Sequence, residues 1–239
     1  TREELFAYHA VILDDLEAEF FTRDQMSLVE QFVAERGGGL LMLGGSESFR
    51  QGEFRRTPIG NLLPVYLDPL EPQGAAAAYR LSITREGWLQ PWVRLRANEA
   101  DENTRLEEMP HLRTLNRVRG IKPGATVLAE ASDASGTAYP ALVAQRFGKG
   151  RSAALTLGDL WRWGLKSPTG GEDLGKAWRQ TIRWLVGDVP EPVELEVERP
   201  SDTAGDTPAS GVRLLVRAHD ERYDPLDQAA VKLTVSGPQ

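Results

Sequence analysis

Two short apolar runs on either side of a capped amphipathic segment set the tightest limit on how this chain folds. The first is His9-Ala10-Val11-Ile12-Leu13, ending in Asp14-Asp15; the second, Leu40-Leu41-Met42-Leu43, runs into Gly44-Gly45-Ser46-Glu47-Ser48. Uniformly apolar runs this short read as strands buried on both faces of a parallel sheet. Between them Thr22 and Gln25 have the spacing of a capping box. Met26, Val29, Phe32 and Val33 then recur at helical spacing, which places one apolar stripe against a sheet. Gly37-Gly38-Gly39 stops the helix, with one glycine expected in the left-handed cap conformation. Strand, helix and strand in about 35 residues make a βαβ unit. Residues 9–15 and 39–43 are therefore expected to be adjacent parallel strands, with helix 22–36 packed on one face.

The rest of the chain is read against that unit. Thr57-Pro58 begins a short helix, with Thr as cap and Pro at the first helical position. Residues 66–124 follow no clear period and are read as an insertion. Within it, residues 75–81 and Ile83 suggest a strand, and the highly charged residues 98–108 are expected to be exposed. Strands are expected at residues 126–131, 141–147 and 151–157, the last two joined by the turn Gly148-Lys149-Gly150. Residues 172–186 form a helix whose expected buried stripe is Leu174, Trp178, Ile182 and Leu185. After Val189-Pro190-Glu191-Pro192 the pattern alternates at residues 193–197, 212–218 and 230–235, as in half-buried strands.

Composition excludes several chemistries. The chain has no cysteine, which removes disulfides, thiolate metal sites and a thiol nucleophile together. A net charge of −7 argues against nucleic-acid binding, which rests on neutralising phosphates. No stretch approaches the ~18 apolar residues of a membrane span, so no membrane insertion of this segment is expected. The opening Thr1-Arg2-Glu3-Glu4 has neither an initiator Met nor an apolar signal-like run, and a piece of a longer polypeptide is expected.

Three stretches together resemble class I glutamine amidotransferase domains. Residues 10–15 are similar to that family's central strand. Gly38-Gly39-Leu40-Leu41-Met42-Leu43-Gly44-Gly45-Ser46 stands where the family has the strand leading to the turn that displays its nucleophilic Cys. Phe147-Gly148-Lys149-Gly150-Arg151, continuing to Thr156-Leu157-Gly158-Asp159-Leu160, stands where a hairpin delivers a His and an acid. The resemblance implies an α/β, flavodoxin-like domain with helices on both faces of the sheet, over residues 1–188. It implies that the first elements of the family's domain precede Thr1. Residues 189–239 resemble part of an Ig-like β-sandwich. This order is similar to a subgroup of large bacterial membrane-anchored proteins that also carry von Willebrand factor A modules. That resemblance implies a cell-envelope setting, on the extracytoplasmic side.

The catalytic residues do not carry over. The nucleophile would fall at Gly45 or Ser46, and the histidine near Leu157 or Gly158. Asp159 alone could correspond to the acid. Glutamine hydrolysis needs a nucleophile and an imidazole that shuttles its proton. The expectation is therefore a non-catalytic interaction or ligand-sensing module whose partners are other domains of its own polypeptide or another protein, with no cofactor or metal. Gly44, Gly45, Ser46, Asp14, Asp159 and Trp161 are the candidate ligand-binding residues.

The competing reading is an enzyme. Ser46 could act as nucleophile, although Ser48 occupies the final glycine position of a full G-x-S-x-G elbow. Its base would have to be one of three histidines: His9, at the wrong end of its strand, His219 in the tail, or His111. Alternatively Asp14, Asp15 and Asp159 could meet at the strand ends and hold a metal, or the glycine turn could bind an anion through its amides. Trp161 and Trp163, or Trp88 and Trp92, could line an aromatic or sugar pocket, or simply cover the sheet.

Overall fold

The protein was analysed as a computed structural model that describes residues 1–71, 78–167, 169–198, 212–220 and 223–234. The chain divides into two compact units, Thr1–Val189 and Pro190–Gln239. The first begins with α1 (Arg2–Phe6), β1 (Ala10–Asp14), α2 (Arg23–Ala34), β2 (Gly39–Leu43), α3 (Pro58–Leu62) and β3 (Val65–Tyr66). Next come β4 (Arg80–Ile83), α4 (Arg85–Trp88), α5 (Glu99–Glu108), β5 (Gly120–Ile121) and β6 (Thr126–Ser132). It ends with β7 (Ala138–Phe147), β8 (Gly150–Leu155), α6 (Trp161–Lys166) and α7 (Gly170–Val186).

The βαβ expectation holds. β1 and β2 are adjacent and parallel, in register from Ala10 opposite Gly39 to Asp14 opposite Leu43. The capping box of α2 is complete: the Gln25 amide donates to the Thr22 hydroxyl at 3.2 Å, and the Thr22 amide donates to Gln25 Oε1 at 2.8 Å. Met26, Val29, Phe32 and Val33 are its buried residues. Gly37 takes the left-handed conformation after it, with φ of +85°, which an L-residue adopts only with strain.

The main sheet has six strands in the order β1-β2-β8-β7-β6-β4. Its first three strands are parallel, and the other three pair antiparallel with their neighbours. It is a mixed α/β sheet covered by helices. Alternation along β8 shows the two faces. Ala153 packs in one core cluster with Leu41 and Leu185, beneath α7. Its neighbour Ser152 points the other way and donates to the Leu62 carbonyl of α3 at 2.5 Å, on the side where α2 and α3 pack together.

Three expectations need correction. Residues 98–108 are not uniformly exposed. They form α5, capped by the Asn98 side chain on the Asp101 amide at 2.9 Å, and its Glu102 and Arg105 are buried. The segment 66–124 also supplies β4 to the edge of the main sheet, so part of it belongs to the core layer; residues 72–77 lie outside the described residues. Third, Ile182 of α7 is 44% exposed, although Leu185 is fully buried. The ring of Trp184 is the one that packs, stacked on Trp92 with centroids 4.2 Å apart and planes 15° apart.

In the second unit β9 (Val193–Glu198) and β10 (Arg213–Ala218) pair antiparallel. Burial along one face was expected at Val212, Leu214 and Val216, or at Leu215 and Ala218. Instead Val212, Leu214 and Leu215 are all exposed, as are Val193, Leu195 and Val197. Alternation along a strand marks a face for burial but supplies no layer to cover it, and a two-stranded sheet is marginal by itself. The third expected strand, residues 230–235, is not a strand where it is described, at residues 230–234.

An ion pair ties α7 to the chain ahead of α5. Arg96 Nη1 and Nη2 donate to Asp173 Oδ1 and Oδ2 at 2.7 and 2.9 Å. Hydrogen bonding to Arg96 holds the Asp173 carboxyl below its ordinary value, against desolvation. A carboxyl depressed in the folded state stabilises the fold above its unfolded pKa of about 4. That contribution disappears as pH falls through the lower folded value. Urea midpoints measured between about pH 2 and pH 6 should therefore fall more steeply in the wild type than in Asp173→Asn. Parallel acid limbs would show that the pair contributes nothing.

Candidate functional site

The carboxyl ends of β1, β2 and β8 lie side by side, where open α/β sheets hold ligands. Past β1, Asp15 sits at φ of +50°, and its Oδ1 accepts the Glu47 amide at 2.7 Å. Past β2, Gly44 and Gly45 pass through a narrow gap. A Cβ on Gly44 would lie 2.5 Å from the Thr156 carbonyl oxygen, and one on Gly45 would lie 2.1 Å from Asp15 Oδ1. Past β8, a Cβ on Gly158 would lie 2.8 Å from the Gly44 carbonyl oxygen and equally close to Thr114. At Gly44 and Gly158 the close neighbour is backbone, whereas at Gly45 it is the Asp15 side chain.

Asn116 locks this turn, and nothing in the sequence singled it out. Its Oδ1 accepts the Gly45 amide at 2.9 Å while its Nδ2 donates to the Gly45 carbonyl at 2.9 Å and to Gln51 Oε1 at 3.2 Å. Its own amide donates to the Thr156 carbonyl at 2.8 Å. The side chain is 3% exposed. Asn116 lies in a segment without hydrophobic period, and its partners are 65 and 71 residues away in sequence, so no local signal could have found it.

Asp159 is buried and used as a brace. Its carboxylate accepts the Arg113 amide at 2.9 Å and the Thr114 amide at 3.2 Å. Arg162 approaches it at 3.4 Å and lies over the exposed ring of Trp161, 5.6 Å from the centroid. Ser46 and Asp14 are exposed. The structure thus brings Gly44, Gly45, Asn116 and Asp15 together, holds Asp159 to the 113–114 backbone, and leaves Ser46 and Asp14 facing solvent. Two amides an anion could have used, those of Gly45 and Glu47, are already engaged.

The remaining candidates lie elsewhere. His9 precedes β1, about 16 Å of extended chain from its carboxyl end. His111 Nε2 accepts from Arg80 Nε at 2.9 Å, at the edge strand. It is five residues from Asn116, again about 16 Å if extended. His219 belongs to the second unit, with Nδ1 2.7 Å from the Glu191 carbonyl. Among the described residues no group of three or more His, Asp or Glu side chains could hold one metal ion. The tryptophans do not pair as a pocket at this site: Trp163 is buried beneath Arg105, Trp92 stacks on Trp184, and Trp88 packs under Arg94.

Two solved structures are similar in fold. Cytoplasmic protein STM1381 of Salmonella typhimurium LT2 is 23% identical, with a TM-score of 0.59, over 78% of this chain and 75% of its own. Cytoplasmic protein STM3548 of Salmonella typhimurium is 18% identical, with a TM-score of 0.57, over 77% of this chain and 74% of its own. Among curated proteins, none matches the chain. The family model described as putative glutamine amidotransferase, GATase1-like, matches residues 1–187, the whole sheet and its helices. The chain therefore belongs to the GATase1-like family of putative glutamine amidotransferases.

Proposed function

We propose that this domain is a non-catalytic member of its family, an interaction or ligand-sensing module within a larger cell-envelope protein. The observation that carries the reading is the crowding at Gly45 and Gly158, two of the four positions (Gly45 or Ser46, Leu157 or Gly158) to which the resemblance assigns the chemistry. A Cβ on Gly158 would meet the Gly44 backbone, and one on Gly45 would meet the Asp15 side chain. An imidazole therefore fits at Gly158 only if backbone moves, and a nucleophile fits at Gly45 only if Asp15 gives up its bond to the Glu47 amide. Of the two serines at the turn, Ser48 is buried and Ser46 is exposed. His111 is engaged by Arg80, His219 lies in the second unit, and His9 precedes the far end of β1. A serine without a base is a weak nucleophile. The envelope setting is supported by the order of an α/β domain followed by alternating strands. The Ig-like reading of residues 189–239 rests on the alternation of residues 193–197 and 212–218 alone, and the exposed apolar side chains of β9 and β10 count against it.

The test is direct. Purified protein should release no ammonia from glutamine and cleave no simple ester above the buffer rate, and Ser46→Ala should change neither result. Turnover abolished by Ser46→Ala would overturn the reading in favour of a serine hydrolase. Fractionation of cells expressing the full gene product tests the envelope assignment separately.

A further inference from the structure

An apolar cavity lies between α7 and the sheet face formed by β2, β8, β7, β6 and β4. Its volume is about 100 Å³. Small residues help to open it: Ala129 of β6 is one wall and Ala177 of α7 another. Trp92, Trp163 and Trp178 supply aromatic surface around it. Close-packed interiors seldom leave such a space. The space is partly open to solvent, and its apolar lining suits a small ring or short branched chain.

One charged group breaks the apolar lining. Arg105 forms part of the wall and is 7% exposed. Its Nε and Nη2 donate to Glu102 Oε1 at 3.2 and 2.6 Å. Its Nη1 finds only the Met109 thioether, at 3.1 Å, and a thioether is a weak acceptor. The guanidinium has five N–H donors in a fixed fork, so a buried cation borders the cavity with donor capacity that no oxygen takes up. A void left by imperfect packing needs no such group. A site for an apolar molecule with one polar end does.

We propose that this cavity binds a small apolar molecule, a single ring or short branched chain, whose one carbonyl or carboxylate oxygen faces Arg105. The apolar part fills the space between Ala129 and Ala177 and contacts the tryptophans. The oxygen takes the Nη1 donor now spent on sulfur. This site goes beyond the silent strand-end turn and does not depend on it.

Benzoate, benzamide and toluene are the probes, titrated into the intact protein with tryptophan fluorescence as readout. Benzoate or benzamide should bind at least roughly tenfold more tightly than toluene, since each adds a charge-assisted hydrogen bond worth more than a neutral one. Comparison of the two shows whether the acceptor is an anion or a neutral carbonyl. Ala177→Phe fills the space and should weaken all three roughly tenfold or more. Because that variant could fail to fold, the wild type carries a second readout: nuclear Overhauser contacts from the bound probe to the methyl groups of Ala129 and Ala177. Absence of binding by all three probes overturns the proposal, as do contacts to other methyl groups. Toluene binding as tightly as benzoate and benzamide overturns the role of Arg105.

Discussion

Glu102→Ala should destabilise the first unit by roughly 3–5 kcal/mol, the range for removing one partner of a buried ion pair. Three groups depend on this carboxylate. Its Oε2 accepts the Leu95 and Arg96 amides at 3.1 and 2.7 Å, and its Oε1 accepts from Arg105. Removing it leaves a buried guanidinium with only a thioether and the ring of Trp163, 5.1 Å from the centroid. Two backbone amides lose their acceptor as well. Glu102→Gln should cost less, because the amide oxygen can still accept one set of bonds while the charge is lost. Urea unfolding of the three proteins measures the order. A loss below about 1 kcal/mol, the size expected for exposed pairs, would mean that the pair is solvated in solution and that α5 does not seal this side of the core.

This pair also marks where sequence reading stopped. The βαβ unit was legible because each of its signals is local: a capping box spanning Thr22 to Gln25, a stripe at helical spacing, an apolar run ending in glycine. The hairpin at Gly148 and the helix ending at Val186 were legible for the same reason. Residues 98–108 were not, because charge density reads as solvation. Glu102 and Arg105 neutralise each other one helical turn apart, and their further partners Leu95, Arg96 and Met109 lie only four to seven residues away, so the signal was local but hidden by the charge around it. The site follows the same division. Gly44, Gly45 and Gly158 were visible as departures from a catalytic pattern. Asn116, which holds the turn closed, makes its contacts across 65 and 71 residues and leaves no local trace. In the tail, alternation predicted strands correctly for β9 and β10 but could not supply the layer that would bury them.

Restoring the missing catalytic residues should not restore catalysis. Four positions are relevant, and the structure treats them differently. Ser46→Cys should fold normally, since Ser46 is exposed, and its thiol should react with iodoacetamide. Gly45→Cys should cost roughly 1–3 kcal/mol, the range for forcing atoms into a filled space, because its Cβ meets Asp15. Gly158→His meets the Gly44 backbone and should cost at least as much. Leu157→His would put a polar ring where the side chain is 1% exposed within an apolar cluster, leaving its nitrogens without water. Even in a folded Ser46→Cys, Gly158→His protein two of the turn's amides are already spent and cannot serve the tetrahedral intermediate. The Gly45 amide is bonded to Asn116 and the Glu47 amide to Asp15. Each missing oxyanion donor is worth about 10²–10³ in rate, so glutamine hydrolysis should stay at background. Adding Asn116→Ala frees the Gly45 amide but also unties the turn from Gln51 and the Gly45 carbonyl, and should lower stability without gain in turnover. Thioester formation by the double variant, detected by trapping with hydroxylamine, would show that the turn opens more easily than its hydrogen bonds imply and that the family's chemistry was lost here by substitution alone.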